Sequence, residues 1–192
     1  SGDKLFDDWE MVLTDPEEGP AIDATQIMVS SVGDGSAGNE YGIEFNFDGQ
    51  LSVAGDFFDF ADIGVFFSVA VTDPSKLITA VSMDIVSDVS AVVNADGDGA
   101  NATAWKGVYA DAGKQDQLDW IEYQNDVPAG TSQDAATPFA GKQQVWVKDN
   151  FLVSYLSDDG SAAISTVTQR FIQKNVEVPE PATLTLFALG LL

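Results

Sequence analysis

Along most of this chain, apolar and polar residues alternate with a period of two. Tyr41, Ile43, Phe45 and Phe47 alternate with Gly42, Glu44, Asn46 and Asp48, the pattern of a strand with one wet face. Trp9, Met11 and Leu13 alternate more weakly with Glu10, Val12 and Thr14. Residues 77–93 form a long run of Val, Ile, Ser and Thr, with Val81, Met83 and Ile85 sharing a face. Residues 102–110, 118–123, 144–148, 151–156 and 162–173 read as further strands, dominated by β-branched and aromatic side chains.

Turn signals separate these runs: Asp15-Pro16, Gly33-Asp34-Gly35, Asp48-Gly49, Asp73-Pro74, Asp96-Gly97-Asp98-Gly99 and Asp158-Asp159-Gly160. Lys148-Asp149-Asn150-Phe151 joins two apolar runs across an Asp-Asn centre, which predicts a hairpin. No twelve-residue segment carries a 3.6-residue period. In residues 56–71 the phenylalanines do not alternate cleanly, which leaves room for a short helix at 57–63. Residues 113–116 and 127–141 read as polar loops, the longer one placed to cover one end of the fold. Many short strands with regular turns predict an all-β, antiparallel β-sandwich of the jelly-roll or Ig-like kind. Residues 1–175 form its single domain, and an extended apolar tail, residues 176–192, follows.

Charge narrows the functions. The chain has 8 Lys and Arg against 31 Asp and Glu, a net charge of −23, with no Cys and no His. That excludes disulfides, Cys/His zinc sites, thiol nucleophiles and a Ser-His-Asp triad. Nucleic acid is excluded as a partner, because a phosphate-binding surface needs a basic patch. Eight cations cannot neutralise thirty-one anions, so divalent cations are candidate counter-charges. The best loop for calcium is residues 94–101, where Asn94, Asp96, Asp98 and Asn101 alternate with Ala and Gly. A hard cation takes six to eight oxygens, and such a loop can wrap one. It lacks the distant bidentate Glu of an EF-hand, and an acidic hairpin turn is the competing reading; Asp56, Asp59 and Asp62, and Asp158 with Asp159, are weaker versions of the same idea. Paired carboxylates can hydrolyse glycosides, but in so acidic a chain some pair always lies at the right spacing. No enzyme is expected. Trp9, Trp105, Trp120 and Trp146 are either core residues or a sugar-stacking platform.

The composition changes after Lys174-Asn175. Val178, Pro179, Glu180 and Pro181 are followed by Ala182, Thr183, Leu184 and an apolar run with a late Gly190. This segment resembles the PEP-CTERM sorting signal of exported bacterial proteins. The resemblance implies export from a Gram-negative cell, handling by an exosortase-type protease, and a destination at the cell surface or in an exopolysaccharide matrix. The family's signal continues into a longer span and a basic cluster, which do not follow here. Eleven residues make a helix of about 16 Å, half of a bilayer core. As an extended strand, the same residues are apolar on both faces. They are therefore expected to dock into a second copy, with Leu184, Leu186, Phe187, Leu189 and Leu191 filling the interface. A head-to-tail contact of that kind propagates into a fibre. The expected function is an extracellular structural protein that self-assembles into filaments or biofilm matrix. The alternative is a surface-anchored carbohydrate-binding module for the exopolysaccharide. Exposed tryptophans on one sheet face would favour the alternative.

Overall fold

A computed structural model describes residues 3–13, 20–36, 40–55, 59–93, 99–156 and 160–176. They form an antiparallel β-sandwich of two sheets. The strands are β1 (Lys4–Leu13), β2 (Met28–Val32), β3 (Gly42–Asn46), β4 (Ser52–Gly55), β5 (Asp59–Val71), β6 (Lys76–Ala91), β7 (Ala100–Tyr109), β8 (Gln117–Asp126), β9 (Gly130–Gln133), β10 (Gln144–Tyr155) and β11 (Gly160–Asn175). One turn of 3-10 helix, Ala24–Gln26, is capped by the Asp23 carboxylate, which accepts from Thr25 N.

The first sheet has the order β1-β5-β10-β7-β8-β9. In the second, β11 is the central strand. It pairs with β6 along its whole length on one side, and with β3 and then β4 on the other. β3 and β4 thus lie end to end on one edge of β11. Between them the chain makes an excursion through Asp48 and Gly49, both at positive φ, closed by Gln50 N donating to Phe47 O.

The core lies between the sheets and is built on period-two alternation. Ile43, Phe45 and Phe47 of the β3 segment meet Ile63, Val65, Phe67 and Val69 of β5, and Val145, Val147, Phe151 and Val153 of β10, all buried. Ala100, Ala102 and Ala104 leave room for this aromatic filling. β1 breaks the alternation with a bulge at Asp8, where φ is 57°. The extra residue turns Phe6 and Trp9 to the same side, so both rings contact Phe67.

Two local expectations are corrected. The Asp149-Asn150 step is not a hairpin but the middle of β10, a single strand paired with β5 and β7 through Lys148, Asp149, Asn150 and Phe151. The alternation Val145, Val147, Asp149, Phe151, Val153 continues through it, and a turn there would put this row of side chains out of the core. Of the short helix for which 57–63 left room, residues 57 and 58 lie outside the described residues and 59–63 are not helical. They open β5, whose Ala61 and Ile63 point inward while Phe60 and Asp62 point outward. The loop after β8 also holds a short strand, β9. Its remainder closes the side between the sheets: Thr137 N donates to Asp119, Phe139 N to Thr79 O, and Ile78 and Lys142 form a bridge.

Candidate functional site

The outward residues of the first sheet form rows fixed by strand register. One row runs Glu10, Phe66, Lys148, Gly107, Trp120 across β1, β5, β10, β7 and β8. The next runs Val12, Gly64, Asn150, Trp105, Glu122. Three of the four tryptophans, Trp105, Trp120 and Trp146, therefore share one exposed sheet face. Trp105 and Trp120 stack diagonally, with centroids 4.9 Å apart and planes inclined by 15°. Lys148 Nζ lies 5.3 Å from the Trp105 centroid and 5.7 Å from that of Phe66, and Lys114 Nζ is 4.2 Å from Phe66. Two of the few cations in the chain are held on these aromatic faces.

A depression of about 370 Å³ sits between these rings. Its walls are Phe60, Phe66 and Trp105, and Lys148 lies at its rim. Its floor is Gly64, where a Cβ would meet nothing nearer than 3.7 Å. At the other glycine of these rows, Gly107, the Tyr109 ring folds down so closely that its hydroxyl would lie 2.5 Å from a Cβ. Only the Gly64 gap stays open. The depression also holds polar groups: Asn150 Nδ2 donates to Asp62 Oδ1 at 2.5 Å. Partial burial raises the Asp62 pKa above the ordinary carboxylate value, and the Asn150 hydrogen bond partly offsets it. Apolar walls with a few placed polar groups are the usual make-up of a small-molecule site, and this volume is at the lower end of the roughly 300–1,000 Å³ such sites occupy.

The inward face of the same strands carries a different polar group. Lys106 of β7 and Asp149 of β10 are directly paired across the ladder, and both are fully buried with Gln169 of β11. Gln169 Nε2 donates to Asp149 Oδ2 at 2.5 Å. Lys106 Nζ lies 4.0 Å from Asp149 Oδ1, and its other neighbour is the Phe171 ring, with the centroid 5.9 Å away. Among the described residues, Lys106 Nζ, Asp149 Oδ1 and Gln169 Oε1 make no hydrogen bond. Desolvation lowers the Lys106 pKa to about 8, against the pull of Asp149, Asp119 and Asp84. Desolvation raises that of Asp149 to about 6, against Lys106 and Gln169.

Of the residues singled out for calcium, Asn94, Asp96 and Asp98 lie outside the described residues. Asn101 is an outward residue of β7. Its nitrogen donates to Asp126, and its oxygen accepts from Thr103 Oγ1 at 2.5 Å. Among the described residues no group of three or more Asp or Glu is placed to hold a metal ion. The sorting residues Val178, Pro179, Glu180 and Pro181 and the interface residues Leu184, Leu186, Phe187, Leu189 and Leu191 also lie outside the described residues. Sequence reasoning missed Asn150 and Gly64 and saw Asp62 only as a weaker calcium candidate; strand pairing brings the three together. The one signal for the buried trio was a polar residue at an inward position of three apolar strands: Ala104-x-Lys106-x-Val108, Val147-x-Asp149-x-Phe151 and Val167-x-Gln169-x-Phe171.

No protein-family model matches this chain, and no curated protein matches it. Among solved structures it is similar to a family 11 carbohydrate-binding module from Clostridium thermocellum in complex with a β-1,3-1,4-mixed-linked tetrasaccharide. The identity is 12%, with 90% of this chain and 95% of that one covered, at a TM-score of 0.24. A family 11 module of a cellulosomal cellulase from the same organism aligns at 11% identity over 94% and 99% of the two chains, also at a TM-score of 0.24. At these values the likeness carries no argument about ligand.

Proposed function

We propose that this protein is a non-catalytic carbohydrate-binding module, and that its ligand lies across the outer face of the first sheet. The observation that carries this reading is the stacked Trp105–Trp120 pair beside a depression floored by Gly64 and furnished with Asp62 and Asn150. A sugar ring offers an apolar C–H face to an indole and a rim of hydroxyls to a carboxylate and an amide, the two chemistries placed together here. The net charge of −23 repels anionic polymers, so the ligand class is a neutral polysaccharide. The Val178–Pro181 resemblance supports an extracellular setting for such a module, with the exopolysaccharide matrix as the source of ligand. This reading is preferred to self-assembly because it stands on described side chains, whereas the expected connector, residues 182–192, does not.

Affinity electrophoresis in gels containing a panel of neutral polysaccharides tests it. Retardation by at least one β-glucan or related polymer is expected, and it should be lost in Trp105→Ala. Equal mobility in every gel, or retardation untouched by Trp105→Ala, contradicts the reading.

A further inference from the structure

We infer that Lys106 and Asp149 become joined by an amide bond between Nζ and Cγ, a covalent cross-link between β7 and β10 inside the sandwich. The geometry is that of a reactant pair whose Nζ and Oδ1 have no hydrogen-bond partner among the described residues. The two residues face each other in adjacent antiparallel strands. Both are fully buried, and Nζ stands 4.0 Å from Oδ1, too far for a hydrogen bond. The atoms that must meet are Nζ and Cγ, and a small side-chain movement has to bring them to the ~3–3.5 Å of a near-attack contact.

In this buried trio, three atoms lack hydrogen bonds among the described residues: Lys106 Nζ, Asp149 Oδ1 and Gln169 Oε1. A buried unpaired ammonium and carboxylate oxygen are costly in this setting. Amide formation removes the first two. Oδ1 departs as water and Nζ becomes an amide nitrogen, whose remaining hydrogen serves Gln169 Oε1 if the new amide is cis. Oδ2 keeps its bond from Gln169 Nε2 as the amide carbonyl.

The chemistry balances without a co-reactant. Burial brings the Lys106 and Asp149 pKa values toward each other, to about 8 and about 6, so the ion pair still predominates and the uncharged amine–acid pair, one proton transfer away, is a minor form of roughly one part in a hundred from which the reaction proceeds. The Nζ lone pair attacks Cγ, and Gln169 Nε2 stabilises the charge that develops on Oδ2. The bond from Cγ to Oδ1 then breaks. Oδ1 leaves as water with its own hydrogen and one from Nζ, and the second Nζ hydrogen stays on the amide. Nothing is oxidised or reduced. The phenylalanine-lined core excludes the water that would reverse the step.

Intact-mass spectrometry of the denatured full-length protein tests the cross-link. The expected mass is that of the sequence less one water molecule, with a branched peptide joining Lys106 to Asp149 after proteolysis. Asp-Gly steps such as Asp34-Gly35 and Asp48-Gly49 can also lose water as succinimides, which mild alkali hydrolyses, so the deficit must survive alkali. Lys106→Arg keeps a charge but should show its full sequence mass. The wild-type measurement stands whether or not that variant folds. A wild-type mass equal to the sequence, a deficit reversed by alkali, or a deficit mapped to any other pair overturns the inference.

Discussion

Trp105 and Lys106 are neighbours in β7, as are Asp149 and Asn150 in β10, yet the two members of each pair belong to different regions. Asn150 and Trp105 face outward, beside Asp62; Lys106 and Asp149 face inward, beside Gln169. Each region contains a carboxylate bonded by a side-chain amide at 2.5 Å. What separates them is water. Asp62 is half-buried and its pKa is only raised somewhat, whereas Asp149 has no exposed surface and is raised to about 6. Under the readings proposed above, the same pair of groups serves ligand binding where solvent and ligand can exchange, and reaction or structure where they cannot.

The largest effect that sharpens this contrast comes from the two lysines. Lys106→Met removes the proposed link and leaves Asp149 buried with the Gln169 amide but no cation beside it, and should cost about 3–5 kcal/mol in denaturant unfolding. Lys148→Met, on the outer face, should stay within about 0.5 kcal/mol. Equal losses in the two variants would erase the distinction between the faces.

The next effect is on binding. Trp120 is 38% exposed, so Trp120→Ala should weaken polysaccharide binding about tenfold while changing stability by less than about 1 kcal/mol. Isothermal titration beside thermal melting reads both quantities. A large loss of stability with unchanged affinity would reassign Trp120 to the fold.

Gly64→Thr fills the floor of the depression. The Cβ has room, and a β-branched residue suits a strand. Binding should fall several-fold while stability is held or slightly raised. Unaltered binding would move the ligand away from this depression.

The smallest effect is a pH dependence. The raised pKa of Asp62 means that folding favours its protonated form: that stabilisation is complete below the unfolded pKa and is lost as pH rises through the folded one. Asp62→Asn should therefore be slightly more stable than wild type at neutral pH, and the advantage should disappear in acid. Binding by wild type should decline on acidification sooner than an ordinary carboxylate would allow, and Asp62→Asn should flatten that decline. Parallel pH profiles for the two proteins would exclude Asp62 from the site.

The sandwich was legible because period-two alternation is a local property. β3, β6, β7 and β11 follow from side-chain order alone, since a strand with one buried face cannot slip by one residue. Asp149-Asn150 was misread for an equally local reason: Asp and Asn favour turns unless a distant partner satisfies them. Those partners, Gln169 for Asp149 and Asp62 for Asn150, lie on other strands. The outer site was half legible. Four tryptophans were visible as a possible platform, but only the β7–β8 register stacks Trp105 on Trp120, and only the Asp8 bulge of β1 sets Trp9 apart against Phe67. Asp62 and Asn150 are 88 residues apart, and no spacing rule joins them.

Backbone amide chemical-shift mapping during titration with a neutral β-glucan oligosaccharide tests the binding face most directly. Saturable shifts should cluster at Asp62, Gly64, Phe66, Trp105, Trp120 and Asn150 and be weak along β3, β6 and β11. Shifts centred on the second sheet, or none at saturating oligosaccharide across a panel of neutral glycans, would contradict the assignment of the outer face as the binding surface.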